Sequence, residues 1–230
     1  MKILIVRTGG DILNTSNYNS QEIGLAKALL DLGNTCDIVY FNGKNPSRVE
    51  EIHHNGKIIK IYWEHGLSVA LNGIFPNINR LLPSYDVIQT IEYDQLTSIQ
   101  LLYYSRYKSK VVLYHGPYFS EEKKKYNLKC KVIDRIPVSS KIKAQVPCAA
   151  KSALAKEFLI SKGYKDITVT GVGLDTERFD VREEIDEKTK SIIDDLSGCS
   201  VLLYIGQIEQ RRNIKFLIKL ACEAVKVDPK

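Results

Sequence analysis

Residues 2–41 read KILIVRTGGDILNTSNYNSQEIGLAKALLDLGNTCDIVYF, and this stretch decides the fold class. Its first five residues, KILIV, are typical of a buried strand, and a polar loop follows them. A helix is predicted over residues 20–32, where Asn19 and Glu22 have the spacing of a capping box. A second apolar strand over residues 37–41 completes the pattern. A strand, a helix and a strand in this order predict a right-handed βαβ unit with parallel strands.

The same alternation continues after this unit. Further strands are predicted at residues 57–63, 86–91, 110–115, 146–150 and 167–170. Further helices are predicted at residues 67–82, interrupted near Pro76, 95–104 and 152–162. Residues 116–145 are the least regular part of the chain. Alternating strands and helices predict an α/β fold with a doubly wound, Rossmann-like parallel sheet.

The domain organisation is predicted from a change in composition near residue 180. Residues 1–180 form the first domain, and residues 181–197 are a charged linker with one short helix. Residues 198–230 begin a second domain, because the sequence VLLYIGQIEQRRNIKFL (residues 201–217) predicts a buried strand, a basic loop and an amphipathic helix that Asn213 opens. A strand–helix unit cannot bury both of its faces alone. We therefore expect the chain to be the front piece of a two-domain protein.

Composition and charge exclude several classes of protein. The chain has 230 residues, 44% hydrophobic and 26% charged, as in soluble globular proteins, and no run approaches the roughly 18 apolar residues of a membrane span. The five cysteines form no CxxC pair, which favours a reducing cytoplasm. The net charge of +6 suits an anionic substrate or lipid headgroups as well as an ordinary solvated surface. A nucleic-acid partner is not expected, because no dense basic stripe is present.

Four segments, taken in order, resemble a family of enzymes. They are the opening strand with its diglycine loop and helix, the strand VVLYHG (residues 111–116), the stretch AKSALAKEFLISKGYKDITVTGVGLDTERF (residues 150–179), and YIGQIEQRRN (residues 204–213). Together they are similar to the family 4 glycosyltransferases, which have the two-domain GT-B fold. The resemblance covers nearly the whole chain, and the third and fourth segments carry most of it.

The resemblance implies a hexosyltransferase-type enzyme. It would move a sugar, with retention of configuration, from a UDP- or GDP-linked donor to a glycan or a lipid-linked acceptor in polysaccharide or cell-envelope synthesis. The first domain would bind the acceptor, and most of the donor-binding domain would lie beyond residue 230. This chain alone is therefore expected to be inactive or nearly so, unless a separate chain supplies the C-terminal domain. No cofactor is expected, because the nucleotide sugar would be a substrate. No metal is expected either, because the chain has no Asp-x-Asp sequence, which disfavours a metal-dependent transferase of the other major fold.

Other functions remain open. The chain could be a non-catalytic sugar-binding subunit or half of a split transferase, and another two-domain sugar-nucleotide enzyme, such as an epimerase, is a further alternative. A nicotinamide dehydrogenase is disfavoured, because the diglycine sequence is not GxGxxG. The lysine-rich residues 121–131 favour either a solvated helix or docking on anionic lipid. The predicted location is the cytoplasm, free or peripherally bound at the inner face of the membrane.

Candidate site residues follow from strand ends and from the resemblance. His115 ends a strand, where open α/β sheets place their ligands, and the resemblance gives it a catalytic, positioning role. The histidines His53, His54 and His65 have no such context and are interpreted as surface residues. The predicted donor-phosphate residues are Gly9, Gly10, Gln207, Arg211 and Arg212, and the predicted acceptor residues are Asn17 and Tyr18.

The diglycine has an alternative role, and Gln207 departs from the family pattern. The diglycine could equally serve as a plain turn, since glycine both allows unusual backbone angles and lets a phosphate approach. Gln207 stands where the family usually has arginine, so it brings no charge to the leaving diphosphate unless Arg211 substitutes. No residue is predicted to bind a metal.

Overall fold

The computed structural model describes residues 1–14, 21–120, 123–173, 175, 177, 185–206, 208 and 212–227. The chain divides into two compact units, Met1–Phe179 (unit 1) and Asp180–Lys230 (unit 2).

Unit 1 is built on a large, mostly parallel sheet. The strands are β1 (Lys2–Val6), β2 (Thr35–Phe41), β3 (Arg48–His54), β4 (Lys57–Glu64), β5 (Leu67–Val69), β6 (Asn72–Ile74), β7 (Val87–Ile91), β8 (Val111–His115), β9 (Cys148–Ala150) and β10 (Ile167–Val169). Eight of them form one sheet in the order β10-β9-β8-β7-β1-β2-β4-β3. Every neighbouring pair in it is parallel except β3 with β4. The chain is therefore an α/β protein with a sheet compatible with a Rossmann-like fold.

Helices of unit 1 cover both faces of this sheet. They are α1 (Gln21–Asp31), α2 (Leu96–Ile99), which continues as a π-helical turn (Gln100–Tyr104), α3 (Lys124–Ile133), α4 (Ser140–Gln145) and α5 (Ala153–Ser161). The described residues of unit 2 form α6 (Glu187–Asp195) and α7 (Ile214–Val227). Alternate residues of β1 enter two separate cores: Ile3 and Ile5 pack with α1, whereas Leu4 and Val6 belong to the core that includes α5. The predicted cap Ser152 accepts a hydrogen bond from the backbone N–H of Ala155 and begins α5 as expected. The helices α3 and α4 lie in the segment 116–145 that the sequence left irregular.

The predicted helix over residues 67–82 is wrong. The chain instead forms a short hairpin of β5 and β6 and then single 3₁₀ turns at Ile78–Arg80 and Leu82–Ser84. Phe75, Ile78 and Leu82 are buried, so their helix-like spacing reflects successive tight turns against the core. Proline rings at the turns favour this outcome, because proline has no N–H for a helix interior.

The antiparallel strand β3 was not predicted, although its turn has a clear signal. Asn55 and Gly56 have φ values of 47° and 72°, as a two-residue hairpin turn requires. His54, interpreted as a surface residue, is in fact 6% exposed, and its Nε2 lies 3.0 Å from Asp31 Oδ1. The hydrogen bond from His54 lowers the pKa of Asp31. His53 and His65 are exposed as expected.

Unit 2 differs from its sequence-based interpretation. Residues 201–205 do not form the predicted buried strand; their side chains are exposed, at 58% for Val201 and 79% for Ile205. A strand needs a hydrogen-bonded neighbour, and no strand is present among the described residues of unit 2. The predicted helix does form, and Asn213 directly precedes α7. None of the described helices is long and apolar enough to cross a bilayer.

The different exposure of the five cysteines provides a test of the fold. Cys36, Cys130 and Cys148 are buried, whereas Cys199 and Cys222 are exposed. Burial raises the pKa of the Cys36 and Cys148 thiols to about 12, so both stay protonated and unreactive at neutral pH. We expect a thiol reagent to label two cysteines in the native chain and all five in urea. Mass spectrometry of the labelled peptides checks this, and rapid native labelling of Cys36 would contradict the placement of β2.

Candidate functional site

The sheet has a topological switch point at β1. The next strand along the chain, β2, pairs with one side of β1, and β7 pairs with the other side. Ligands of open α/β sheets bind in the crevice outside the carboxyl ends of the strands at such a point. A cavity of about 370 Å³ opens there, a volume typical of small-molecule sites. We call this cavity the crevice; its lining includes Arg7, Gly9, Leu71, Glu92, Gln95 and Lys151.

Glu92 occupies the floor of the crevice, directly after β7. Its φ of 60° places a non-glycine residue in the left-handed region, a strain that costs on the order of 1 kcal/mol or more and is concentrated at functional sites. Its backbone N–H donates to the carbonyl of Tyr114 at 2.9 Å, and its Oε2 accepts from the N–H of Gly116 at 3.2 Å. Lys151 Nζ lies 3.8 Å from the other carboxylate oxygen. The sequence analysis missed this residue.

His115 lies behind Glu92 and not on the crevice surface. It ends β8 as predicted, but its side chain has no exposed area. The imidazole stacks on the Phe158 ring at a centroid distance of 5.5 Å and meets the Tyr93 ring edge-on at 5.6 Å. Its Nδ1 lies 2.7 Å from Glu92 Oε2, yet neither ring nitrogen has a hydrogen-bond partner. The histidine predicted to be catalytic is therefore buried, and its contact with a residue of the crevice lining is the one with Glu92.

Asp94 joins this pair from the same loop. Its side chain is 3% exposed, and Lys129 Nζ lies 2.7 Å from Oδ2. The other oxygen, Oδ1, has no hydrogen-bond partner. One ligand atom each from Glu92, Asp94 and His115 lies within 4.8 Å of the other two. The sequence shows that each of the three residues ends or closely follows a predicted strand, but the pairing of β7 with β8, which brings them together, comes from the structure.

The diglycine loop has mainly a structural role. The N–H of Gly10 donates to the carbonyl of Leu71 at 3.0 Å. A Cβ at Gly10 would meet Ser68 Oγ and lie 3.0 Å from the backbone of Asn72, so glycine is needed where the β5–β6 hairpin packs. Gly9 lines the crevice. The geometry favours the plain structural interpretation for Gly10 and leaves Gly9 as the candidate for a ligand contact.

Arg7 brings a second cation to the crevice. Its guanidinium lies 3.3 Å from Glu22 Oε1 and 3.4 Å from Asp11 Oδ2. Glu22 also accepts from the Tyr40 hydroxyl at 3.5 Å. An anionic ligand would therefore compete with two carboxylates for Arg7. The Nζ of Lys151 has a longer carboxylate contact, with Glu92, and lies 4.8 Å from the centroid of the Tyr114 ring.

Of the remaining predicted site residues, the structure describes Arg212, which belongs to unit 2 and is exposed just before α7. Gln207, Arg211, Asn17 and Tyr18 lie outside the described residues, as does Asn19 of the predicted capping box.

A second cavity of about 330 Å³ lies along α1. Its lining is mainly apolar, and its carboxylate Asp175 is already paired with Lys27 at 3.1 Å. Burial is the largest single influence on the pKa of Lys27 and lowers it. The hydrogen bonds to Glu177 and Asp175 and the charges of these two carboxylates together outweigh burial, so the pKa of Lys27 is raised. The crevice lies at the switch point of the sheet and has two cations, Arg7 and Lys151, in its lining, so it is the better candidate site.

Comparison with known proteins adds no family. No protein-family model matches the chain, and no curated protein matches it.

Proposed function

We propose that the crevice binds the anionic part of a nucleotide-diphosphate sugar and that the protein serves glycosyl transfer. The observation that carries this is the position of Glu92 and Lys151, an acid and a cation on one small-molecule cavity at the switch point of the sheet. The resemblance of four segments to the family 4 glycosyltransferases supports the choice of substrate. The GT-B fold belongs to this proposal.

The charge of each crevice residue determines which part of the ligand it binds. Lys151 and Arg7 face the diphosphate, on which negative charge grows as the glycosidic bond breaks. Glu92 accepts hydrogen bonds from sugar hydroxyls, because a carboxylate is the strongest neutral-pH acceptor among side chains. His115, stacked on Phe158 and edge-on to Tyr93, places its Nδ1 2.7 Å from Glu92 Oε2 and limits the space open to that carboxylate. Gln207, Arg211 and Arg212 stay candidates for the donor phosphates through the resemblance alone.

A second candidate function is a sugar-phosphate-binding module without catalysis. It is favoured because two groups that were expected to bind phosphate already have partners within the protein. The Gly10 N–H donates to the carbonyl of Leu71, and Arg7 pairs with two carboxylates. A loop whose donors are already occupied is less prepared to stabilise a transition state. Binding without turnover distinguishes this module from a transferase.

Calorimetric titration of the full chain with UDP, GDP, UDP-glucose and GDP-mannose tests the proposal. We expect one of the nucleotides to bind and Lys151→Ala to weaken that binding by about tenfold, since a charge-assisted hydrogen bond contributes about 1.5 kcal/mol or more. Glu92→Gln is expected to weaken binding of the sugar conjugate more than binding of the bare nucleotide.

Lys165→Ala provides the matched control, because Lys165 is exposed and does not line the crevice. Nucleotide release after a panel of glycans and lipid-linked sugars is added would identify the transferase, and binding alone would identify the module. If none of the four ligands binds, or if Lys165→Ala weakens binding as much as Lys151→Ala, the crevice is not a sugar-nucleotide site.

A further inference from the structure

Three donor side chains converge below the crevice from the ends of two adjacent strands. Glu92 and Asp94 follow β7, and His115 ends β8. Parallel pairing of these strands brings their carboxyl ends together, so the convergence follows from the fold. One oxygen or nitrogen atom from each residue lies within 4.8 Å of the other two.

Two members of this cluster have polar atoms that nothing in the described structure satisfies. His115 has no exposed area, and both of its ring nitrogens lack a hydrogen-bond partner. Asp94 is 3% exposed, and its Oδ1 lacks a partner as well. An unsatisfied buried polar group costs about 1 to 3 kcal/mol, so such groups normally meet a ligand, an ion or water.

The chemistry of the donors selects a cation. Two carboxylate oxygens and one imidazole nitrogen are all lone-pair donors, and one such atom of each residue lies within 4.8 Å of the other two. His115 Nδ1 lies 2.7 Å from Glu92 Oε2, whereas His115 Nε2 and Asp94 Oδ1 have no hydrogen-bond partner. One nitrogen and two oxygens suit Zn²⁺ or Mn²⁺ better than Mg²⁺, which prefers oxygen alone. Three protein ligands would also leave a coordination position open for water or another ligand.

Neighbouring groups already hold the two carboxylates in orientation. The N–H of Gly116 donates to Glu92 Oε2, and Lys129 pairs with Asp94 Oδ2, which leaves Oδ1 available. Lys151 is the competing charge, since it lies 3.8 Å from Glu92 Oε1 with a quarter of its side chain exposed, so it can move into solvent. Contacts of this kind normally orient the ligands of a metal ion.

We propose that Glu92, Asp94 and His115 bind one divalent transition-metal cation, Zn²⁺ or Mn²⁺, under the floor of the crevice. This departs from the expectation of a metal-free protein, which rested on the absence of an Asp-x-Asp sequence. The three ligands come from two strands and are invisible to a search for a local motif. The proposal does not depend on the glycosyl-transfer function.

Calorimetric titration of the chelator-treated full chain with ZnCl₂ and with MnCl₂ tests the site, with MgCl₂ as the comparison metal. We expect one equivalent of Zn²⁺ or Mn²⁺ to bind and Glu92→Gln, Asp94→Asn and His115→Ala each to weaken binding by at least about tenfold. Lys151→Gln is expected to tighten cation binding, because it removes the competing charge. That sign is opposite to the effect of Lys151→Ala on sugar-nucleotide binding, so the two proposals can fail separately.

His53→Ala and His65→Ala are the matched controls, since both histidines are exposed and outside the cluster. A second measurement needs no variant: Mn²⁺ should broaden the imidazole NMR signals of His115 in the wild-type chain before those of His53 and His65. The proposal is overturned if neither metal binds saturably, if the three cluster variants bind like the wild type, or if the exposed histidines broaden first.

Discussion

Replacing Phe158 with alanine is expected to lower the free energy of unfolding of unit 1 by about 3 to 5 kcal/mol. Phe158 is 7% exposed on α5, and its ring packs against His115, Tyr93 and Tyr126 at centroid distances of 5.5, 5.6 and 6.2 Å. Truncation removes the buried ring and leaves a cavity that three aromatic neighbours cannot collapse to fill. Urea denaturation gives the free energy, and the fluorescence of Trp63, the chain's one tryptophan, reports on unit 1 alone.

Ile160→Ala on the same helix is the control, because Ile160 is 52% exposed. A surface substitution of this kind normally changes stability by about 0.5 kcal/mol or less. Equal losses for the two variants would contradict the placement of α5 on the aromatic cluster. Phe158→Ala should also shift the NMR signals of His115, since the stacked ring is the nearest aromatic face.

The elements that the sequence predicted well are those whose local and long-range requirements agree. The apolar run of β1 is buried on both faces, as a central parallel strand requires, so its pattern could hardly mean anything else. α5 was equally clear, because Ser152 caps it and Gly163 follows its end with a φ of 94°. For both elements the sequence pattern and the tertiary environment point to the same structure.

The failures occur where the environment overrides a local pattern. Phe75, Ile78 and Leu82 have helical spacing but lie on turns that follow a hairpin. That hairpin turns through Ala70 and Leu71, at φ values of 48° and 64° that these residues rarely adopt, so no sequence signal marked it. Residues 201–205 have the apolar content of a strand, but a strand also needs a neighbour, which a single segment cannot reveal.

The candidate site was predictable only in part, for a related reason. Position at a strand end identified His115, but burial by Tyr93 and Phe158 could not be read from the sequence. Glu92 escaped notice because its importance comes from its strained φ and from the pairing of β7 with β8. Polar residues just after a buried strand are common, and only the order of the strands in the sheet shows which of them meet.

Lys129→Met is expected to cost about 3 kcal/mol or more of stability, because it leaves the Asp94 carboxylate buried without its counter-charge. Asp94 is 3% exposed, and Lys129, at 2.7 Å, is 27% exposed on α3. In the variant the Asp94 carboxylate stays buried away from water but has lost its cation. Methionine retains most of the aliphatic part of the lysine side chain, so the substitution removes mainly the charge. Urea denaturation in EDTA measures the loss, so that no divalent cation contributes its binding energy.

The double variant Asp94→Asn with Lys129→Met separates the charge from the packing. If the cost arises from an unpaired buried charge, neutralising Asp94 should restore at least half of the lost stability in the presence of Lys129→Met. Lys125→Met, an exposed position on the same helix, should change stability by about 0.5 kcal/mol or less. Additive losses in the double variant would mean that Lys129 stabilises α3 through packing alone, and Asp94 would then have no need of a cation on either oxygen.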